Sequence, residues 1–361
     1  MSLTETHKLV VSDIQKDTQD AIVVTLRIPE AIRKRFAFKH GQYLTLKKRI
    51  EGEEIRRPYS ICTEASNAPG FLQVGIKRVE DGLFSSWAHR RLRVEDEIEV
   101  FLPDGKFTSS LAPSEAKRYC CVAIGSGITP ILSVVKTILF EEQFSKIILL
   151  YGNRRLSNVM FLEEINGLKN RYIDRFQVCH VLTREPDSSN ILRGRIDGQK
   201  VLEFVRMSGA SVKEMEFFVC GPSEMSEEVF SILLDVGIDP KLFHRELFGQ
   251  YFSTEMGKKQ PTNSHQITST VSLKVDGRTY EVLFHAGQKN ILQAALEQGI
   301  DMPYSCRAGA CTTCRGMLVQ GRVDSGGSSV LDEASVSAGY ILTCQSWPTT
   351  KNVAIDLDQK R

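Results

Sequence analysis

The stretch CRAGACTTC places Cys306, Cys311 and Cys314 close together, and Cys344 follows in GYILTCQSW. The spacing C-x4-C-x2-C with one remote partner is a ligand pattern for a [2Fe–2S] cluster held by four thiolates. The residues between are small for a physical reason. Cluster sulfur accepts hydrogen bonds from backbone N–H groups, so the chain must wrap closely around it. Ala308, Gly309, Ala310, Thr312 and Thr313 permit this, and Gly309 can take backbone angles that other residues avoid. A structural zinc site favours two paired CxxC knuckles. Here there is one CxxC, one longer gap and a distant cysteine, so iron is the expectation and zinc the alternative. Of the remaining cysteines, Cys120, Cys121 and Cys179 lie in or beside apolar runs and read as packing residues. An odd total of nine, with no export signal, argues against a disulfide framework.

A second constellation is RRPYSIC, followed by VGIKRVEDGLFSSWAHRRL. Tyr59 offers an aromatic face for an isoalloxazine ring. Arg57 offers a fixed cation for a pyrophosphate, and Ser60 can donate a hydrogen bond to a flavin edge. Lys77 precedes a loop in which Gly82, Ser85 and Ser86 stand where a helix could begin. Free N–H groups there suit phosphate oxygens. Each residue alone has an ordinary reading, a half-buried tyrosine or a solvated arginine; the weight comes from the combination.

A third is GSGITP, Gly125 to Pro130, which follows an apolar strand and opens a helix. Gly125 and Gly127 allow close backbone approach, Thr129 and Pro130 lie in the first turn, and the helix start favours a phosphate. The fingerprint GxGxxG is absent. VCGP, with Cys220 and Gly221, repeats the strand–turn–helix logic. Thr183 and Arg184 in LTRE, with Arg195 in GRID, are candidates for a phosphate dianion because a guanidinium suits that charge; the alternative is ordinary surface arginine.

Three compositional regimes position these groups within 361 residues. AIVVTLRI, QYLTLKK, FLQVGIKRV and EIEVFLP are short strand candidates separated by turns, which suggests a barrel or sandwich over 1–112. Apolar strands alternating with helical patterns, from YCCVAIGSG to EFFVCGP, suggest an α/β parallel-sheet domain over 113–250. The polar 251–268 segment reads as a linker. Over 269–361 a hairpin at Asp276-Gly277, a helix NILQAALEQG and the cysteine loop follow in turn. The net charge of +2 implies no general attraction to nucleic acid or anionic membrane. No stretch has the apolar length of a membrane span, and a cytoplasmic location is expected.

The C-terminal residues Val271 to Leu357 resemble a plant-type ferredoxin, which implies a β-grasp fold. Lys8 to Phe248 resemble the ferredoxin–NADP reductase superfamily, through R-x-Y-S, GLFSS, GSGITP and CGP. The order of the three parts resembles oxygenase reductase components. The resemblance implies an antiparallel barrel that carries the flavin, and FAD rather than FMN, with R-x-Y-S and G-x-x-S clasping it. It implies a nicotinamide near Cys220, 2′-phosphate contacts at Thr183 and Arg184 and hence NADPH over NADH. It also places Glu246 and Phe248 toward the flavin edge. Ser60, Cys220 and Glu246 are then the residues that tune or position the redox chemistry. The expected activity is hydride from NAD(P)H to FAD, single electrons to the cluster, then transfer to an oxygenase component. The oxygenase could act on an aromatic CoA thioester, or on a steroid or ring-hydroxylation substrate. A redox sensor or carrier module is the alternative of another class, against which an intact nucleotide domain speaks.

Overall fold

The computed structural model describes residues 3–185, 192–247, 268–285, 287–326, 330–331 and 333–359. The chain forms two compact units: Lys8–Ile55 with Tyr59–Gly249, and Gln250–Arg361 with Met1–His7 and Arg56–Pro58. The predicted linker 251–268 falls outside the described residues except for its last position.

The larger unit begins with β1 (His7–Lys16), β2 (Ala21–Arg27), β3 (Tyr43–Ile50), β4 (Glu53–Ser60), β5 (Phe71–Lys77), α1 (Leu83–Arg91) and β6 (Glu97–Val100). The strands form one sheet in the order β4-β3-β6-β1-β2-β5. Its β1–β2, β2–β5 and β3–β6 pairs are antiparallel. The inward residues Leu9, Val11, Val24, Leu26, Leu44, Leu46, Leu72, Val74 and Ile76 close a core against α1. This is the expected antiparallel barrel architecture.

The chain then alternates strand and helix: β7 (Arg118–Ile124), α2 (Ile128–Glu141), β8 (Lys146–Asn153), α3 (Leu162–Arg171), β9 (Phe176–Leu182), α4 (Gly198–Met207), β10 (Met215–Gly221), α5 (Ser223–Asp235) and β11 (Phe243–Leu247). The five strands are parallel, in the order β11-β10-β7-β8-β9. The unbroken apolar run of β7 is explained by burial on both faces. Tyr119, Cys121 and Ala123 enter the cluster with α2 and α3. Cys120 and Val122 enter the one with α4 and α5. Cys120 and Cys121 are fully buried, as packing residues should be, and Cys179 is partly buried. Helix α4 is an addition to the predicted elements. Asp197 caps it by accepting from the Lys200 N–H at 2.8 Å.

Barrel and parallel sheet meet around His40, which is 3% exposed. Its Nε2 accepts the Ser109 N–H at 3.1 Å, and its ring meets Phe218 edge-on at 6.1 Å. Burial, with His244 and Lys39 nearby, lowers its pKa to about 4, although Glu216 opposes the shift. The folded protein therefore holds neutral His40 while the unfolded chain titrates at 6.5. Stability supported by the neutral ring is complete above pH 6.5 and is lost as pH falls toward 4, by about 3 kcal/mol. Denaturant titrations from pH 7 to 4 should show that slope in the native sequence and a flatter one in His40→Gln.

The smaller unit contains β12 (Ser269–Val275), β13 (Arg278–Phe284), α6 (Ile291–Glu297), β14 (Arg315–Gln320), β15 (Val323–Ser325), α7 (Glu333–Ser337), β16 (Tyr340–Leu342), β17 (Ser346–Pro348) and β18 (Asn352–Asp356). Its main sheet runs β13-β12-β18-β14-β16, and β15 pairs with β17. The β12–β13 hairpin turns at Asp276 and Gly277 with φ of 50° and 75°, the two positive angles that a tight hairpin with right-handed twist requires. Asn290 caps α6 by accepting from the Gln293 N–H at 2.8 Å. Leu273, Val282, Ile291, Ala295, Leu342 and Ile355 share its core with Cys314 and Cys344.

Candidate functional site

Strand β4 carries Arg57, Tyr59 and Ser60 toward the end of its run. The Tyr59 ring packs on Phe84 of α1 with centroids 5.6 Å apart, and Phe84 on Trp87 at 5.4 Å. Tyr59 is only partly buried. Arg57 is also partly exposed, and its Nη1 donates to the Arg56 carbonyl at 2.8 Å. The Ser60 hydroxyl is buried and has no protein hydrogen-bond partner among the described residues. Buried polar groups are ordinarily satisfied, so an unpartnered hydroxyl beside an aromatic face fits a bound flavin edge.

Gly82 precedes α1, and the Ser86 N–H returns to its carbonyl at 3.0 Å. The N–H groups of the first turn have no partner within the helix, as at any helix start. The Ser85 hydroxyl is engaged within the loop: it accepts the Val79 N–H at 3.1 Å. A Cβ on Gly82 would stand 2.6 Å from that hydroxyl oxygen, so a side chain there would displace the Ser85 hydroxyl from its bond. Lys77, at the end of β5, forms an ion pair with Asp20 at 3.5 Å.

Gly125 and Gly127 form the turn from β7 into α2. Gly125 has φ of 55°. Its carbonyl accepts the Tyr151 hydroxyl at 3.0 Å, and the same hydroxyl accepts the Met160 N–H at 3.2 Å. A Cβ on Gly127 would lie 2.3 Å from the Cys220 carbonyl oxygen, so only glycine lets the two strand ends converge. Cys220 and Gly221 end β10 beside them. The side chains of Thr129 and Pro130 are buried instead of lining an open cleft, and the Thr129 hydroxyl donates to the Ser126 carbonyl at 3.0 Å. The Cys220 thiol is fully buried, and burial together with Glu246 pushes its pKa well up. It is therefore an unreactive thiol at neutral pH. Glu246 lies opposite Cys220 in the β10–β11 register. Phe248 lies outside the described residues.

Gly75 of β5 is an addition to the predicted set. A Cβ there would stand 2.8 Å from Thr129 Cγ2, 3.1 Å from Met160 Cε and 3.2 Å from Phe161 Cζ. It lets the strand next to the flavin candidates press against the start of α2. An isolated glycine inside a strand pattern is the signal that could have found it. The Asp17 carboxylate also bridges barrel and sheet, accepting the Phe161 N–H at 3.0 and 3.1 Å.

Thr183 and Arg184 follow β9. The Thr183 N–H donates to the Asn153 carbonyl at 3.0 Å and the Arg184 N–H to the Arg154 carbonyl at 2.8 Å. The backbone thus holds Arg154 beside Arg184, and Arg193 bridges to Leu182 on the same strand end. Arg154, Arg184, Arg193 and Arg195 are all exposed. Arg154 and Arg193 are further additions to the predicted set.

The four predicted ligand cysteines stand as two pairs. Cys306 and Cys311 are 3.1 Å apart between sulfurs. Cys314 and Cys344 share a hydrogen bond. All four are buried, the most exposed being Cys311 at 7%. Left-handed Arg307 and Gly309, with φ of 56° and 72°, curl the loop so that backbone amides face inward. The Ala308 N–H reaches Cys306 Sγ at 3.4 Å. Within each pair the thiol–thiol bond lowers the pKa of the accepting member, Cys306 or Cys314, and raises that of the donor, Cys311 or Cys344. Paired soft donors with inward N–H groups fit a core of two irons and two sulfides.

Three domain families match the chain: oxidoreductase FAD-binding domain over 8–109, oxidoreductase NAD-binding domain over 121–230 and 2Fe-2S iron-sulfur cluster binding domain over 273–349. The chain is 36% identical to a component protein of 1,2-phenylacetyl-CoA epoxidase from Escherichia coli (strain K12), over 99% of both chains. It is 29% identical to the ferredoxin reductase component of 3-ketosteroid-9-alpha-monooxygenase from Rhodococcus rhodochrous, over 96% of both. Among solved structures, phthalate dioxygenase reductase superposes with a TM-score of 0.60 at 22% identity, covering 98% of both chains.

Proposed function

Because the chain belongs to the family of FAD-, NAD- and [2Fe–2S]-binding reductases that includes this phenylacetyl-CoA epoxidase component, we propose that its client is an oxygenase acting on an aromatic acyl-CoA. The protein is an NAD(P)H-dependent oxidoreductase of the ferredoxin–NADP reductase type, which transfers electrons to an oxygenase component. The client reading rests on the full-length relationship to the epoxidase component. Reconstitution with separately purified oxygenase components tests it. The fastest turnover is expected with an acyl-CoA epoxidase, and equal rates with steroid and ring-hydroxylating oxygenases would remove the assignment. A cytoplasmic site of action follows from this reading. No helix among the described residues is long and apolar enough to cross a membrane.

The groups bound by these domains convert a two-electron hydride donor into a source of single electrons. The chain's own contribution is placement. Tyr59 and Ser60 would hold the flavin by its face and edge, and Arg57 with the first turn of α1 would take its pyrophosphate. Gly125, beside which a Cβ would meet nothing within 4 Å, would let a pyridine nucleotide approach the end of β7, and Gly127 and Gly221 would let the strand ends and helices around that position pack closely. Buried Cys220 and neighbouring Glu246 would form the polar wall beside the nicotinamide, with the thiol keeping its proton. The Cys306–Cys311 and Cys314–Cys344 pairs would each hold one iron.

NADPH is the proposed donor. The support is the convergence of Arg184 with Arg154 across β8 and β9, with Thr183 and Arg195 beside them. A charge-assisted contact is worth roughly 1.5–3 kcal/mol. Arg184→Ala is therefore expected to raise KM for NADPH by about tenfold or more, with KM for NADH little changed. Parallel initial-rate measurements with both nucleotides check it; equal losses would place Arg184 outside the 2′-phosphate site.

A further inference from the structure

Cys344 and its neighbour Gln345 lie on a segment that several independent bonds hold still. The Thr343 N–H donates to the Cys314 carbonyl at 3.1 Å, and the Ser346 hydroxyl to the Leu342 carbonyl at 2.8 Å. The Gly326 N–H donates to the Gln345 carbonyl at 3.0 Å. Asn290, the cap of α6, donates from its side chain to the Cys344 carbonyl at 3.0 Å. On this fixed backbone the Gln345 side chain folds back. One Nε2 contact reaches the Cys344 carbonyl at 2.8 Å and the other reaches Cys344 Sγ at 3.8 Å. A primary amide carries two N–H donors on that nitrogen, so both contacts can be made together. Space for the fold-back comes from the loop opposite: a Cβ on Gly309 would stand 3.0 Å from Gln345 Cγ.

We propose that Gln345 is a positioning residue that sets the reduction potential of the iron–sulfur centre through the Cys344 sulfur. The inference rests on the reading of Cys306, Cys311, Cys314 and Cys344 as ligands. A hydrogen bond to a ligand sulfur disperses negative charge. The one-electron-reduced centre carries one more negative charge than the oxidised one, so the donor stabilises it preferentially and raises the potential. Cys306 receives its donors from the Ala308 and Ala310 backbone, which substitutions other than proline leave in place. Gln345 is a side-chain donor that substitution can remove.

Gln345→Met keeps length and removes both N–H groups. Gln345→Glu removes the donors and adds a charge. Redox titration of the full-length protein, followed by EPR of the reduced cluster, reads the midpoint directly. At a fixed potential Gln345→Met should move the oxidised-to-reduced ratio about tenfold toward oxidised, which for one electron is a fall of about 59 mV. Gln345→Glu should fall further. Iron content should match the parent protein, separating a potential shift from damage to the site. If Gln345→Met loses iron, Gln345→Asn decides, since the shorter amide withdraws from the sulfur while preserving polarity. Unchanged midpoints in iron-replete variants would overturn the role of Gln345 alone. Absence of iron from the parent protein would overturn the ligand reading and this inference with it.

Discussion

Cys344→Ser should reduce electron delivery to a one-electron acceptor by at least about 100-fold while leaving reduction of the flavin by NADPH near its parent rate. Cys344 is 1% exposed and hydrogen-bonded to Cys314. Serine supplies a harder oxygen donor with a shorter bond, which suits iron–sulfur chemistry poorly. The separation of effects follows from the architecture. Ser60, Tyr59, Gly125 and Gly127 belong to a different compact unit from the cysteine quartet. A variant that loses iron therefore need not lose its response to nucleotide. Rates with cytochrome c and with ferricyanide, measured beside iron content, distinguish the two halves of the reaction. A Cys344→Ser protein with full cytochrome c activity would remove this residue from the electron path.

The second large effect is expected from Gly127→Ala. One methyl group would be placed 2.3 Å from a backbone carbonyl oxygen of Cys220, a contact that no rotamer change relieves. Either the β10 end or the start of α2 must move. Overpacking of a close-packed site costs roughly 1–3 kcal/mol, occasionally more. The displaced turn is also the proposed seat of the nucleotide. KM for NADPH should rise about 10- to 100-fold, and the thermal midpoint should fall by a few degrees. Flavin content should be retained, because Gly127 contacts β10 whereas Ser60 and Tyr59 lie on β4. Stopped-flow flavin reduction over a range of NADPH concentrations, with flavin quantified after extraction, checks both parts.

The cysteine quartet was legible from sequence because ligand spacing and small intervening residues are local properties. Its organisation into two pairs was not, because Cys344 reaches the loop only through the pairing of β14 with β16, whose register is a tertiary fact. The apolar run of β7 announced a strand covered on both faces. It could not say that Gly127 would abut Cys220, since that requires β10 as a neighbour. Thr129 and Pro130 show the opposite case. Their motif suggested nucleotide contact, yet their side chains are buried, Thr129 at the point where Gly75 gives way. Lys77 was a cofactor-binding candidate from its place before the flavin loop; its ion pair with Asp20, in the turn between β1 and β2, is a tertiary contact that the sequence does not display. Arg154 was hidden in the sequence because it becomes neighbour to Arg184 only when β8 and β9 pair.

The most direct test of the account is anaerobic stopped-flow spectroscopy of the full-length protein mixed with NADPH. The account predicts rapid loss of the flavin absorbance, followed by bleaching of the iron–sulfur bands and appearance of the EPR signal of a reduced [2Fe–2S] cluster. Flavin bleaching with cluster bands that persist unchanged would contradict it.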